Sequence, residues 1–405
     1  AKKRKTRERK TVTALLALRP LGVALVCVVL CGAVRAESTS ADELPVVDIT
    51  RDEARQTVIA MGTSEVYQGH PTTVLTDDDK TLFCAWTIDH GGPCGPFARS
   101  DDHGKTWQRI DHLLPEGYRT THRNCPTLQS VYPPEGGEQR LVVFSSKAVG
   151  KNRRGLGVLM SLDGGESWFE TPNAPQLSAG MPPTGLMRLK DGSTALFGQV
   201  RKDPNVKTDR ATDDQNVWMS VSRDGGFTWG EPKTVAQAEK KNLCEPFALR
   251  SPDGDEIALL MRENRHDARS MMCFSRDEGK TWTEPVDTCW GLTGDRHEGV
   301  QLPDGRWLIA FRDRALGSST LGQYVAWVGS YDELRSGKPG QFRIHLLKNW
   351  SGEPHGGRLG DTGYSGVELM PDGSILCTTY VKFYPDDRQH SVVSTRFRVE
   401  GNTVK

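Results

Sequence analysis

Four stretches of the chain repeat one eight-residue frame, Ser-x-Asp-x-Gly-x-Ser/Thr-Trp: Ser100 to Trp107, Ser161 to Trp168, Ser222 to Trp229 and Ser275 to Trp282. Their serines stand 61, 61 and 53 residues apart. A period of that size marks supersecondary units repeated about an axis, because one such unit cannot bury its apolar face alone. Tight turns flanked by apolar runs fall at Asp77-Asp78-Asp79, Glu135-Gly136-Gly137, Asp191-Gly192, Asp253-Gly254, Asp304-Gly305 and Asp372-Gly373. Asp-Gly between apolar runs is a strong hairpin signal. Matching strand openings at His70-Pro71, Cys125-Pro126, Pro182-Pro183, Glu245-Pro246, Arg296-His297 and Gly363-Tyr364 bring the count of units to six.

Each unit has room for four short antiparallel strands, with the motif where the third strand turns into the fourth. The expected fold is all-β, a six-bladed β-propeller. From Tyr364 only 41 residues remain, too few for a whole blade. The missing outer strand is expected from the segment between Leu44 and Met61, which would close the ring and hide its edges. The domain reading is therefore residues 1–36 as an export signal, 37–58 as an N-terminal segment able to close the last blade, and 59–405 as the propeller. Within the motif the Asp accepts turn amides, the Gly takes a backbone conformation other residues avoid, and the Trp packs between blades. The Asp-x-Gly spacing lacks the further ligands of a calcium loop, so no metal is expected there.

A basic run from Lys2 to Lys10, an apolar stretch from Leu21 to Ala33 and a small-residue end at Ala36 read as a cleaved signal, and so as a secreted or periplasmic protein. About 13 apolar residues are too few for a spanning helix. The first 36 residues hold nine of the 52 Lys and Arg and only one acid, so the formal neutrality of the chain hides a net charge of −8 on the rest. That balance excludes a general nucleic-acid or membrane-surface binder. A monomer is expected. Seven cysteines follow the signal with irregular spacing and no Cys-x-x-Cys. They read either as buried free thiols or as partly bridged, Cys84 with Cys94 for instance.

Strand polarity places the motifs on the back of the propeller and the starts of first strands, with the ends of second strands, on the front. The front then collects His70, Arg123, Glu245, Arg296, His297 and Tyr364 from strand starts, and Asp89, Arg262 and Arg312 from strand ends. Arginine forks suit planar carboxylates, so an anionic ligand is the first expectation.

From about Gly62 onward the chain resembles the sialidase (neuraminidase) superfamily of six-bladed propellers with Asp-box repeats. Glu245-Pro246 with Leu259-Leu260-Met261-Arg262 is similar to the family segment holding the catalytic Glu and a binding Arg. Trp307 to Arg312 resembles the segment of a further binding Arg, and Gly363-Tyr364-Ser365 with Leu369 to Ser374 resembles the strand of the nucleophilic Tyr. The resemblance implies Tyr364 as nucleophile, Glu245 as its base, Asp89 as acid and base, and Arg262 and Arg312 on a substrate carboxylate, without a cofactor. Where the family opens its first blade with Arg-Ile-Pro, this chain has Gly69-His70-Pro71. His70, Arg296, Arg123 or His297 would have to complete the binding site. The implied activity is a retaining exo-glycosidase for a terminal acidic sugar, sialic acid or a related one, on a glycan or small acidic substrate. The alternatives are a hydrolase for a different acidic sugar and a catalytically silent carbohydrate-binding propeller.

Overall fold

A computed structural model describes residues 44–405 apart from 151–152, 173, 179, 202–213, 353 and 355–359. The expected export signal lies outside the described residues. The described chain forms the six-bladed β-propeller expected from the repeats. Blade one is Gln68–Leu75, Leu82–Ile88, Cys94–Ser100 and Gln108–Arg109. Blade two is His122–Val131, Arg140–Gly150, Arg153–Ser161 and Phe169–Glu170, with Ala174–Ser178 also paired to its third strand. Blade three runs Gly185–Arg188, Thr194–Arg201, Gln215–Ser222 and Lys233–Ala236. Blade four runs Leu243–Arg250, Ile257–Glu263, Met271–Ser275 and Val286–Asp287. Blade five is Gly294–Gln301, Trp307–Asp313, Tyr324–Gly329 and Phe342–Leu347, edged by Val46–Asp48 in parallel. Blade six takes Ser365–Leu369, Ile375–Val381 and Ser391–Phe397 from the end of the chain and its outer strand, Gln56–Ala60, from the beginning.

The apolar cores lie between blades. Val74, Phe83 and Phe97 of blade one pack with Leu128, Val143 and Leu159 of blade two, and the pattern continues around the ring to Leu82 against Met370 and Leu376. The repeated motif is the clamp at the joints where it occurs. In its second copy Ser161 Oγ donates to Asp163 at 2.8 Å and accepts from the Gly165 amide at 2.8 Å, while the Ser167 amide donates to Asp163 at 3.0 Å. Trp168 donates from Nε1 to the Gly165 carbonyl at 3.1 Å and lies edge-on to Phe97 of the preceding blade, 5.1 Å between centroids. Trp229 on Phe144 and Trp282 on Phe197 repeat that contact. Gly165 has φ +92°, and a Cβ there would stand 2.2 Å from the Phe83 ring. Gly165→Ala is thus expected to cost about 2–4 kcal/mol, from the left-handed backbone plus overpacking. Denaturant unfolding checks it; an unchanged midpoint would show that the joint yields.

In blade five the remnant Ser330-Tyr331-Asp332 lacks the motif glycine, and a short helix, Tyr331–Arg335, replaces the turn. Ser330 accepts from the Glu333 amide while Glu333 reaches back to the Ser330 amide, a capping box. The Tyr331 hydroxyl donates to Glu256 of blade four at 2.9 Å, so a polar bond substitutes for the missing tryptophan at that joint. All seven cysteines in the described residues are free and buried. Cys84 and Cys94 are not bridged, since the packed blade interiors hold each thiol apart as a small apolar group.

Candidate functional site

The innermost strands of blades one, two, four and five share a local irregularity at their front ends. The pairing register skips between Gly69 and Thr72, Arg123 and Thr127, Cys244 and Phe247, and Asp295 and Glu298. Each bulge holds a left-handed backbone: His70 at φ +49°, Asn124 and Cys125 at +66° and +35°, Glu245 at +49° and Arg296 at +55°. Non-glycine residues adopt that conformation at a cost of about 1–3 kcal/mol, and such strain clusters where side chains must be aimed. The bulges turn four side chains from these four blades toward the mouth of the channel. Blade six delivers Tyr364 after Gly363, whose φ is +93° and whose Cβ, if present, would meet Arg312 Cβ at 2.4 Å. Only glycine lets Tyr364 and Arg312 stand so close.

Tyr364 donates its hydroxyl proton to Glu245, and Arg262 donates to both oxygens of Glu245 at 3.0 Å and to the Tyr364 hydroxyl at 3.3 Å. All three side chains are buried. Behind them Asp295 forms ion pairs with Arg262 at 2.9 Å, Arg312 at 2.8 Å and Arg314 at 2.7 Å, and His266 lies 2.8 Å away. Burial pushes the Glu245 carboxyl up, but the Arg262 guanidinium, the Tyr364 hydroxyl and Arg296 together outweigh it and hold the group below its ordinary value. Asp295 is held well below the carboxylate range, burial being overcome by Arg262 and Arg312. Tyr364 is raised well above an ordinary phenol by burial and by the Glu245 charge. Its proton therefore leaves only to a partner, and Glu245 is the partner in contact.

Both depressed carboxylates stabilise the fold fully above their unfolded values, about pH 4, and that contribution is lost as pH falls through the lower folded values. Asp295→Asn leaves three buried guanidiniums without their shared anion and is expected to destabilise the protein by about 3–5 kcal/mol. Chemical denaturation across pH 3–7 checks this, with a flatter acid limb expected in the variant.

Arg296 is the unsatisfied member of the cluster. It is 2% exposed, its guanidinium crosses the channel from blade five to donate to Thr127 of blade two at 3.3 Å, and it lies 5.7 Å from the Tyr364 ring centroid. Among the described residues its Nε and Nη1 have no hydrogen-bond partner. The nearby channel carboxyl, Glu298, is pushed up to about 8 by burial, against the pull of the Arg296 charge and with a further push from Glu368, and so is largely uncharged at neutral pH. Four guanidiniums face Glu245 and Asp295 here. Asp361 on the other flank offsets one more charge, and the mouth remains positive.

The structure brings together Tyr364, Glu245, Arg262, Arg312, Arg296 and His70. His70 stands edge-on to Tyr364 at 4.8 Å. Burial drives it well below the ordinary histidine value, and its Nδ1 accepts from the Gly91 amide at 3.2 Å. It is neutral and does not replace an arginine. Asp89 is exposed on the rim. Arg123 is exposed outside the cluster, and Cys125 takes the blade-two position that the sequence reading assigned to it. His297 turns into its blade against Phe311, and its Nε2 donates to the Leu292 carbonyl at 2.9 Å. Burial pushes the ring down to about 4.

Two important residues escaped the sequence reading. Asp295 immediately precedes Arg296, and an acid beside that opening was the available signal. Asp361 accepts from Tyr67 at 2.8 Å and Tyr380 at 3.0 Å and lies 3.2 Å from His90. No local pattern marks it.

Ring and site define a six-bladed propeller whose polar machinery sits at the front of its channel, an architecture shared with several glycosidases. The BNR repeat-like domain model matches residues 96–321, and the chain belongs to that family. A protein of unknown function from Dyadobacter fermentans superposes with a TM-score of 0.63 at 17% identity, over 85% of this chain and 98% of that one. The α-L-arabinofuranosidase Arb93A of Fusarium graminearum follows at 0.57 and 12% identity, over 84% and 97%. The NanB sialidase of Streptococcus pneumoniae aligns at 0.52 and 12%, over 87% and 73%. These likenesses establish the fold. The sequence matches no curated protein.

Proposed function

We propose that the chain is an exported retaining exo-glycosidase that releases a terminal acidic sugar from a glycan. The observation that carries this reading is the buried Tyr364–Glu245–Arg262 contact set beside the unpaired Arg296. Tyr364 attacks the anomeric carbon while Glu245 takes its proton. A tyrosine suits a substrate with a carboxylate near that carbon, because a neutral nucleophile avoids the repulsion that an anionic one meets. A substrate anion brought beside Glu245 also raises that group's proton affinity at the moment it must act.

Asp295 favours an acidic sugar other than sialic acid within this class. It already occupies Arg262, Arg312 and Arg314, so the guanidinium left for a substrate anion is Arg296, which reaches across the channel from blade five. Hydrolysis of a panel of aryl glycosides, sialoside and uronide included, by protein recovered outside the cytoplasm tests the proposal. Turnover of an acidic member is expected. Binding of acidic sugars without turnover of any would support the silent carbohydrate-binding reading, and retention of the uncleaved chain inside the cell would remove the export step.

A further inference from the structure

Asp361 is buried and holds three phenol or imidazole groups at once. Burial would raise its carboxyl, but His90, His390 and Tyr67 outweigh burial and keep it ionised. His390 lies behind it, its Nε2 2.9 Å from the Asp361 carbonyl. His90, by contrast, has a side chain 52% exposed, with Nδ1 turned to Asp361 Oδ1 at 3.2 Å and to the Tyr67 hydroxyl at 3.4 Å. Tyr67 gives its own proton to Asp361, so its oxygen and the carboxylate both accept, and His90 Nδ1 is the donor. Among the described residues Nε2 has no hydrogen bond and faces solvent. The His70 ring stands edge-on to both His90, at 4.6 Å, and Tyr364, at 4.8 Å. A buried carboxylate that fixes one imidazole nitrogen and leaves the other without a partner, one ring away from Tyr364, is an arrangement that orients a histidine for proton transfer.

We propose that His90, oriented by Asp361, is the acid–base residue of the hydrolysis set out above, in place of Asp89; the proposal rests on that reading of the site. In the first step the His90 imidazolium gives its Nε2 proton to the glycosidic oxygen as the C–O bond breaks. Tyr364 bonds to the anomeric carbon, and its phenol proton passes to Glu245. In the second step neutral His90 takes a proton from water, the hydroxide bonds to the anomeric carbon, and Tyr364 leaves and recovers its proton from Glu245. One water is consumed, and every residue returns to its starting state. The charged and titratable groups around His90 are Asp361, Tyr67, His70 and His390, with Asp89 as its neighbour in the chain.

Leaving-group dependence tests this. His90→Asn keeps an amide able to donate to Asp361 but removes Nε2. It is expected to lower kcat/KM by about 10²–10⁴ on alkyl or oligosaccharide glycosides of the acidic sugar, which need an acid. On the dinitrophenyl glycoside, whose leaving group needs none, the first chemical step is expected to fall by less than about tenfold, read as the pre-steady-state burst. Equal losses on both substrates would mean a merely structural His90 and overturn the proposal. The same split in Asp89→Asn with none in His90→Asn would also overturn it and give the role to Asp89. Wild-type protein inactive on every glycoside would overturn the glycosidase reading itself, a result distinct from either. The nitrogen-15 shifts of His90 supply an assay-free readout: a proton on Nδ1 is expected in the neutral ring, and a proton on Nε2 instead would overturn the orientation.

Discussion

Replacing Tyr364 with phenylalanine is expected to lower turnover of the acidic glycoside by at least about a thousandfold, since removing a covalent nucleophile leaves only positioning and electrostatics. The ring itself should stay in place. It is buried against Cys125 and Tyr380, and Arg296 and Arg312 lie 5.7 and 5.9 Å from its centroid. Glu245 keeps both contacts from Arg262 after the hydroxyl is gone. KM is therefore expected to change little while kcat collapses, and steady-state kinetics with a circular-dichroism control separates that outcome from misfolding. Wild-type turnover in Tyr364→Phe would remove the covalent step from the mechanism. Glu245→Gln should also be slow, but it strips Arg262 of one of its two anions and is expected to be less stable as well.

Arg296→Met is expected to separate stability from function in the opposite sense. A buried guanidinium with two unpartnered nitrogens is a desolvated charge with incomplete compensation, and an apolar side chain of similar length removes that penalty. The variant should melt at or above the wild-type temperature. Its kcat/KM for the acidic substrate should fall by about 10²–10³, the loss of a charge-assisted contact worth roughly 3–4 kcal/mol. A neutral analogue of the same sugar should show no such loss. Thermal unfolding and the acidic-to-neutral ratio of kcat/KM read the two effects independently. A variant that binds the acidic sugar as well as wild type would mean that the anion goes elsewhere, with Arg262 and Arg312 released by Asp295 as the remaining route.

Much of the architecture was legible because its causes are local. The motif is a turn held by its own Ser, Asp and Gly, so it can be counted without knowing what surrounds it. Even the strand that closes blade six could be assigned to a short window by counting the residues left after Tyr364. The site was legible where a side chain sits beside a strand opening of recognisable form, as Glu245 and Tyr364 do. It was illegible where a role depends on which nitrogen or oxygen finds a partner across blades. Arg123 and His297 both stand next to the correct openings. The bulges send Cys125 and Arg296 to the mouth instead, because the left-handed residue inside each bulge breaks the strand's alternation and re-aims its side chain.

The sequence by itself determined six repeated units, their closure into a ring, the separation of a motif face from a chemical face, and the excess of arginine on the latter. Each follows from short-range turn chemistry, strand polarity and residue counting. Only the tertiary structure decided which charges are satisfied. Asp295 takes up Arg262, Arg312 and Arg314, Arg296 keeps two unpartnered nitrogens, His70 is held neutral, and Asp361 fixes one nitrogen of His90. The pairings of Asp295 with Arg262 and of Asp361 with His90 join residues from different blades. Their energies depend on burial and on distances of a few ångströms, quantities that exist only once the ring has closed.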